Sequence, residues 1–455
     1  MTLSQSTLDE LVAAGVSVRT DPDVIETYSH DRSPAPYGLA LAVVSPADTA
    51  QVSETMKWAT RHRVPVVVRG AGSGIAGAAT ASDGCIILST AHLNRILDID
   101  APNMLATTQP AVITAELDRA VAQRGLMYAP DPGSVEICSI GGNVATNAGG
   151  LRCVKYGVTR DSIAGLEVVL ADGRIIRTGR RTVKNVSGYD LTGLFVGSEG
   201  TLGVVTEIDV RLRPRPVGLS PVIVGSFTDT AAAGAAVAQV MSANLEPELM
   251  ELLDRRTLTL IDDFKHTGLE PDAGALLVAQ TTGTSAIERA AVIAELFTTA
   301  GGFDVIVSDD AAEAEQLIEI RRLAYPAYEH AGAALVEDVA VPRSRLADML
   351  AAVDEISARH GVTVASVAHA GDGNVHPTFI YERGLPEVPD EVMAAAEEVF
   401  RTAISFGGTL TGEHGVGVLK KRWLGEDLGA DTLAVCHDIK GALDPLGILN
   451  PGKAI

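Results

Sequence analysis

The sequence predicts an α+β protein built from two principal domains, on three observations. A β-α-β pattern opens the chain, and short strands then recur between glycine-rich segments as far as Pro216. Beyond that point strands alternate with long alanine-rich helices, the texture of an α+β layer. The length of 455 residues agrees, because it exceeds what one hydrophobic core ordinarily organises.

In chain order, residues 1–35 read as a helical lead-in, with Leu8, Leu11 and Val12 at helical spacing. LALAVVSP is a strand, Asp48 to His62 a helix, and VPVVVRG a continuously apolar strand of the buried kind. CIILS, VLAD and VVTEIDVRL are further strands, and RLRPRP marks the end of a first domain spanning 36–216. A second domain is expected over 217–440, with strands PVIVGSF and GALLVAQT and helices at Thr230–Asn244, Ser285–Ala300, Asp309–Glu319, Arg343–His360 and Pro389–Phe406. A strand at Thr363–His369 leads into a turn-rich hairpin, and 441–455 forms a closing segment around the Asn-Pro-Gly turn.

Composition narrows the function. With 46% hydrophobic and 21% charged residues, and no apolar run of 18, the chain reads as globular with no membrane span. Its first residues lack a basic start followed by an apolar core, so the expected location is the cytoplasm, at most peripheral to the inner membrane. Lys and Arg number 36 against 58 Asp and Glu, and the resulting −22 repels phosphate backbones, which argues against nucleic acid as a partner. An anionic substrate therefore needs locally created positive potential. Cys85, Cys138, Cys153 and Cys436 form no CxxC pair, which speaks against a zinc ribbon, an iron–sulfur cluster or a disulfide framework.

Three glycine-rich segments stand out: RGAGSGIAG, the run from Pro130 to Gly150, and VGSEGTLGVVTEI. Gly72, Gly74 and Gly77 have GxGxxG spacing, but a strand and a helix precede them and Ser82-Asp83-Gly84 interrupts any helix after Gly77, so the dinucleotide-fold reading is set aside. Small residues in a row still expose successive backbone N–H groups, a cradle suited to a pyrophosphate.

HAGDGNVH places His369 and His376 on either side of a turn, and TGEHGVG sets Glu413 beside His414. Two imidazoles and a carboxylate are a common facial set for Zn²⁺ or Mn²⁺. His30, His62, His92, His266, His330, His360 and His437 lack such framing.

The succession RGAGSGIAG, PDPGS, SIGGNVATNAGG, KYG and GYDLTGLFVGSEGTLGVVT resembles the FAD-binding domain of the vanillyl alcohol oxidase and p-cresol methylhydroxylase superfamily. Within it the chain is most similar to the branch of D-lactate dehydrogenases, D-2-hydroxyglutarate dehydrogenases and the flavin subunit of glycolate oxidase, over nearly its whole length. The resemblance implies a two-part FAD-binding domain of the vanillyl alcohol oxidase type and an α+β substrate (cap) domain with an antiparallel sheet. Arg69, Gly70, Ala71, Gly72, Ser73, Gly74 and Gly77 would wrap the FAD pyrophosphate. Pro132, Gly133, Ser134, Gly141, Gly142, Asn143, Thr146 and Gly149 would line the ribityl chain and isoalloxazine, and Glu199, Gly200 and Val205 the adenosine half. Ser73 stands where some members attach flavin to histidine, so non-covalent FAD is expected.

By the same resemblance, His369, His376 and Glu413 ligate a divalent metal, His414 is the general base, Asn450 returns to the flavin, and Arg321, or its neighbour Arg322, clamps the substrate carboxylate. The implied reaction oxidises a small D-2-hydroxy acid and passes electrons to a separate acceptor, an electron-transfer flavoprotein or a quinone; a homodimer is compatible with it. Val336 and Thr378 stand where dicarboxylate-specific members carry lysine and asparagine, which favours D-lactate or glycolate over D-2-hydroxyglutarate. A flavin-free metal-dependent hydrolase and a non-enzymatic subunit remain the competing classes.

Overall fold

The computed structural model describes residues 5–268, 272–385 and 387–455. They form two compact units: the residues up to Gly149 with Gly157–Arg215 and Glu413–Ile455, and Gly150–Tyr156 with Pro216–Gly412. A division is expected at Pro216, and one of the boundaries falls there. Two stretches lie differently from expectation. Residues 413–440, expected in the cap, belong to the first unit because their backbone and side chains bind there: Val418 N–H donates to Ala76 O, and Lys440 to Thr201 O and Leu449 O. Residues 150–156 belong to the second, where Lys155 Nζ donates to Thr282 Oγ1 at 2.6 Å.

The first unit carries strands β1 (Ser17–Arg19), β2 (Ala42–Ser45), β3 (Val66–Arg69), β4 (Ile86–Ser89), β5 (Ile96–Asp100), β6 (Leu105–Thr108), β7 (Leu126–Met127), β8 (Ile163–Val169), β9 (Ile175–Gly179), β10 (Val204–Arg211) and β11 (Arg213–Pro214). One sheet has the order β1-β2-β4-β3, with β2, β4 and β3 parallel, and a second has the antiparallel order β5-β6-β10-β8-β9. β7 and β11 make a separate pair. The helix Thr49–His62 joins β2 to β3. Asp48 caps its start by accepting from Gln51 N–H at 2.8 Å, and Arg63 at φ 54° ends it. Its Val52, Met56 and Trp58 bury against Ala42, Val44, Val66 and Leu88. The expected lead-in is two helices, Gln5–Ala13 and Pro22–Ser29, with β1 between them pairing antiparallel to β2. Leu8 and Leu11 are buried, whereas Val12, placed with them by spacing, faces outward. VLAD proves to be the end of β8 and the turn after it.

The second unit carries β12 (Val222–Phe227), β13 (Leu249–Asp254), β14 (Ala275–Gln280), β15 (Phe303–Ser308), β16 (Ala333–Val336), β17 (Val339–Ala340), β18 (Thr363–His369) and β19 (Asn374–Tyr381). They form an antiparallel sheet of order β15-β12-β14-β13-β18-β19-β16, with β17 also on β19. Leu258, Ile261, Ile318 and Tyr328 from helices Arg255–Lys265, Ala311–Arg322 and Ala324–Ala331 cluster with sheet residues Val224, Leu253, Val278 and Val367. Phe297 packs edge-on to Phe227, near Gly225. Among the described residues no helix is long and apolar enough to cross a membrane.

Asp254 ties this sheet to its helices. At the end of β13 it accepts from Thr257 N–H, capping the following helix, and from Ser366 N–H of β18, both at 2.7 Å. Burial pushes its carboxyl up from 3.8 to about 6. Folding thus favours the protonated form, and that stabilisation is full below the unfolded value and lost as pH rises through 6. The stability of the wild type relative to Asp254→Asn should therefore fall between pH 4 and pH 6 in urea titrations; a pH-independent difference would refute the assignment.

Candidate active site

In the second unit the site is built on one hairpin. β18 and β19 pair with His369 opposite Asn374 and Val367 opposite His376, so the period-two alternation puts both histidines on one face. Their rings stand edge to face, with centroids 5.0 Å apart. The hairpin turns through Gly373 at φ 85°, where a Cβ would lie 2.2 Å from Val341 O.

Each imidazole has a buried carboxylate at Nδ1. Glu251 Oε1 is 2.8 Å from His369 Nδ1, and Asp338 Oδ1 is 3.7 Å from His376 Nδ1. At 2.8 Å the Glu251 carboxylate holds a proton on His369 Nδ1 and leaves Nε2 as the nitrogen that would ligate a metal, the usual support behind a metal-binding histidine, whereas at 3.7 Å Asp338 is a charged neighbour of His376 and not its hydrogen-bond partner. The donor chemistry thus fits a borderline divalent cation. Asp338 also accepts from Asn374 Nδ2 at 2.6 Å and from Thr411 Oγ1 at 2.7 Å. Gly412 lies so close to Asn374 that a Cβ there would be 2.3 Å from Nδ2.

Sequence reasoning missed Glu251 and Asp338. Glu251 accepts from Arg321 Nε through its second oxygen, at 2.8 Å. Of the two candidate arginines, Arg321 is the inward one; Arg322 pairs on the surface with Glu315 and Glu319.

In the first unit, Glu413 Oε1 lies 3.8 Å from His414 Nε2, and a Cβ on Gly149 would come within 2.4 Å of Glu413 Oε2. The segment after His414 is held by Glu199. That buried side chain, on a backbone at φ 49°, accepts from Val416 N–H and Gly417 N–H at 2.8 Å each. Burial raises its pKa, and those two donors oppose the rise. The resemblance placed Glu199 beside adenosine; in the structure its carboxylate braces the segment that bears His414. Gly417, at φ 53°, would put a Cβ 1.9 Å from Ala76 O. Gly200, next after Glu199 in the chain, is at φ 72°, and Val205 lies half-buried in β10.

The first glycine-rich segment is an irregular loop after β3, with no helix behind Gly77. Ala71 and Gly74 are exposed, Gly70, Gly72 and Ser73 half-buried, and Gly77 buried. Arg69 braces it from outside, donating to His30 O at 2.6 Å and lying over Tyr28. In the second segment Pro132 is buried, Gly133 open and Ser134 half-buried. A short helix, Ile140–Thr146, carries Gly141, Gly142, Asn143 and Thr146. Asn143, expected to line the flavin, donates its amide to Thr114 Oγ1 at 2.7 Å in the core.

The closing segment reaches this loop. Asn450 Nδ2 donates to Glu199 O at 2.7 Å and Ala78 O at 3.0 Å, and Lys453 Nζ to Ala78 O and Thr80 O. Burial lowers the Lys453 ammonium to about 8. Lys453→Met, which removes both donations, should weaken FAD retention by about tenfold, the equivalent of one to two hydrogen bonds. Flavin fluorescence after dialysis against dilute buffer reads this loss, and unchanged retention counts against a role for the closing segment.

Two family models match the chain: the FAD binding domain over residues 40–179 and the C-terminal domain of FAD linked oxidases over residues 220–454. The glycolate oxidase subunit GlcD of Bacillus subtilis is 42% identical over 429 residues, covering 94% of this chain and 91% of that protein. A D-lactate dehydrogenase of Archaeoglobus fulgidus is 33% identical over 437 residues, covering 94% and 96%. Among solved structures, p-cresol methylhydroxylase with substrate bound superposes with a TM-score of 0.81 at 18% identity, covering 99% of this chain and 97% of that one, a likeness of fold. The expected two-domain α+β architecture of the vanillyl alcohol oxidase type is therefore present, and the chain belongs to the FAD-linked oxidases as an FAD-dependent oxidoreductase.

Proposed function

We propose that this enzyme oxidises a small D-2-hydroxy acid, D-lactate or glycolate, to the 2-oxo acid, with a divalent metal held by His369, His376 and Glu413. The relatives are a glycolate oxidase subunit and D-lactate dehydrogenases, which supports hydroxy-acid oxidation. The observation that carries the reading is the pair of histidines on one hairpin, each beside a buried carboxylate, with His369 joined through Glu251 to an inward arginine.

FAD, when bound, would supply a two-electron acceptor, and a Zn²⁺ or Mn²⁺ ion held by His369, His376 and Glu413 would supply Lewis acidity toward the hydroxy acid. Arg321 pairs with the substrate carboxylate, which supplies the local positive charge that a chain of net −22 otherwise lacks. His414 takes the hydroxyl proton, and its attachment to Glu413 keeps base and ligand in one fixed relation. Glu199 keeps the segment after His414 in place through the Val416 and Gly417 amides.

The alternative substrate, D-2-hydroxyglutarate, needs a further cation for its second carboxylate. Val336 and Thr378 are direct partners in the β16–β19 register, and neither brings one. This supports a monocarboxylate. FAD is held non-covalently, and electrons leave for a separate acceptor, an electron-transfer flavoprotein or a quinone; the word subunit in the relative's name agrees with such a division of labour. The enzyme works in the cytoplasm or at the inner face of the membrane.

Anaerobic mixing with D- and L-2-hydroxy acids tests the function. D-lactate or glycolate should bleach the flavin faster than D-2-hydroxyglutarate, and bleaching by none of them sinks the proposal. Chelation followed by gel filtration should abolish bleaching, with Zn²⁺ or Mn²⁺ restoring it. His414→Asn should retain FAD and lower the reduction rate by about 10²- to 10⁴-fold, the usual worth of a general base.

A further inference from the structure

Glu251 is a buried carboxylate in the middle of a strand whose neighbours Met250, Leu252 and Leu253 are all core residues. Such a charge is costly to bury unless both oxygens are matched. Both are: Oε1 faces His369 Nδ1 and Oε2 receives Arg321 Nε, each at 2.8 Å. The strand register makes the first contact, because Glu251 sits directly opposite His369. The second reaches the last turn of the helix Ala311–Arg322.

We infer that Glu251 is a positioning residue that couples metal binding at His369 to substrate-carboxylate binding at Arg321. The inference rests on the hydroxy-acid reading above. With Nε committed to Glu251, the guanidinium presents its Nη1/Nη2 edge, the edge that pairs bidentately with a carboxylate. The same side chain fixes which nitrogen His369 offers the metal. Asp338, near His376, accepts from Asn374 and Thr411, so it organises the hairpin and the strand beside it. A glutamine at 251 keeps the volume but has a single acceptor oxygen. It satisfies His369 or Arg321, and turns an amide donor on the other.

The test uses the full FAD-loaded chain as wild type, Glu251→Gln, Arg321→Met and the double variant, which removes the unmatched cation if the single Glu251 variant folds poorly. Zinc affinity is read by chelator competition, and kcat and KM with whichever 2-hydroxy acid bleaches the wild type. In Glu251→Gln, zinc affinity should fall about 10- to 100-fold. At saturating zinc kcat should return while KM stays raised at least tenfold. Arg321→Met should raise KM with zinc affinity kept, and the double variant should show the zinc loss with little further rise in KM. Unchanged zinc affinity overturns the inference. So does a KM that recovers together with kcat, or additive KM effects. If no acid bleaches the wild type, the functional reading fails, and the zinc affinity of the double variant against Arg321→Met still decides whether Glu251 supports His369. If the wild type binds no zinc, the metal reading fails, and a KM unaltered by Glu251→Gln overturns the remainder.

Discussion

A carboxylate taken out of water must find a partner for each oxygen, and three such groups organise the functional parts of this enzyme. Glu199 gives both oxygens to the backbone after His414. Glu251 divides its oxygens between a histidine and an arginine, and Asp338 accepts from Asn374 and Thr411 beside its histidine. Each joins segments remote in sequence: Glu199 lies 217 residues from Val416, and Glu251 lies 118 from His369. Because an unmatched buried charge is strongly unfavourable, these pairings hold the loops in one arrangement. Rigidity of that kind is what transfer of a hydrogen over a fixed distance requires.

The sequence is legible where local pattern and tertiary role agree. β18 is expected at Thr363–His369 and lies there, because apolar and small residues run unbroken up to a glycine-framed turn. The helices at Thr230–Ser242, Ala286–Thr299 and Asp390–Ser405 fall within a few residues of expectation, alanine-rich and bounded by polar residues. β13 escapes pattern reading although it lies at the centre of the sheet. In ELMELLD the acids Glu248, Glu251 and Asp254 recur every three residues, a helical rhythm, although all three are buried. The helix Ile140–Thr146 is hidden because its glycines, poor helix formers, allow close backbone approach; a Cβ on Gly141 would lie 2.4 Å from Pro110.

The candidate site is legible as residue types and obscure as connections. His369, His376, Glu413 and His414 announce themselves by glycine framing, whereas Glu251 and Asp338 carry no local signal and become visible only through strand register. Choosing between Arg321 and Arg322 likewise needs the helix phase, since adjacent helical residues point about 100° apart. Charge patterning holds the clue: Glu315 and Glu319 sit where Arg322 can reach them along the surface of its own helix.

The first unit is discontinuous, and its last stretch comes after the whole of the second. Ile448 O accepts from Val66 N–H and Asn450 N–H donates to Val66 O, so the tail lengthens the first parallel sheet beyond β3. During synthesis, Val66 and the glycine loop emerge hundreds of residues before the partners that finish them. The second unit is nearly contiguous and can close its sheet while the first still lacks an edge, a division that favours a fixed order of assembly on the ribosome. Until the tail arrives, the half-built first sheet presents an unpaired strand edge at β3, the kind of surface chaperones recognise.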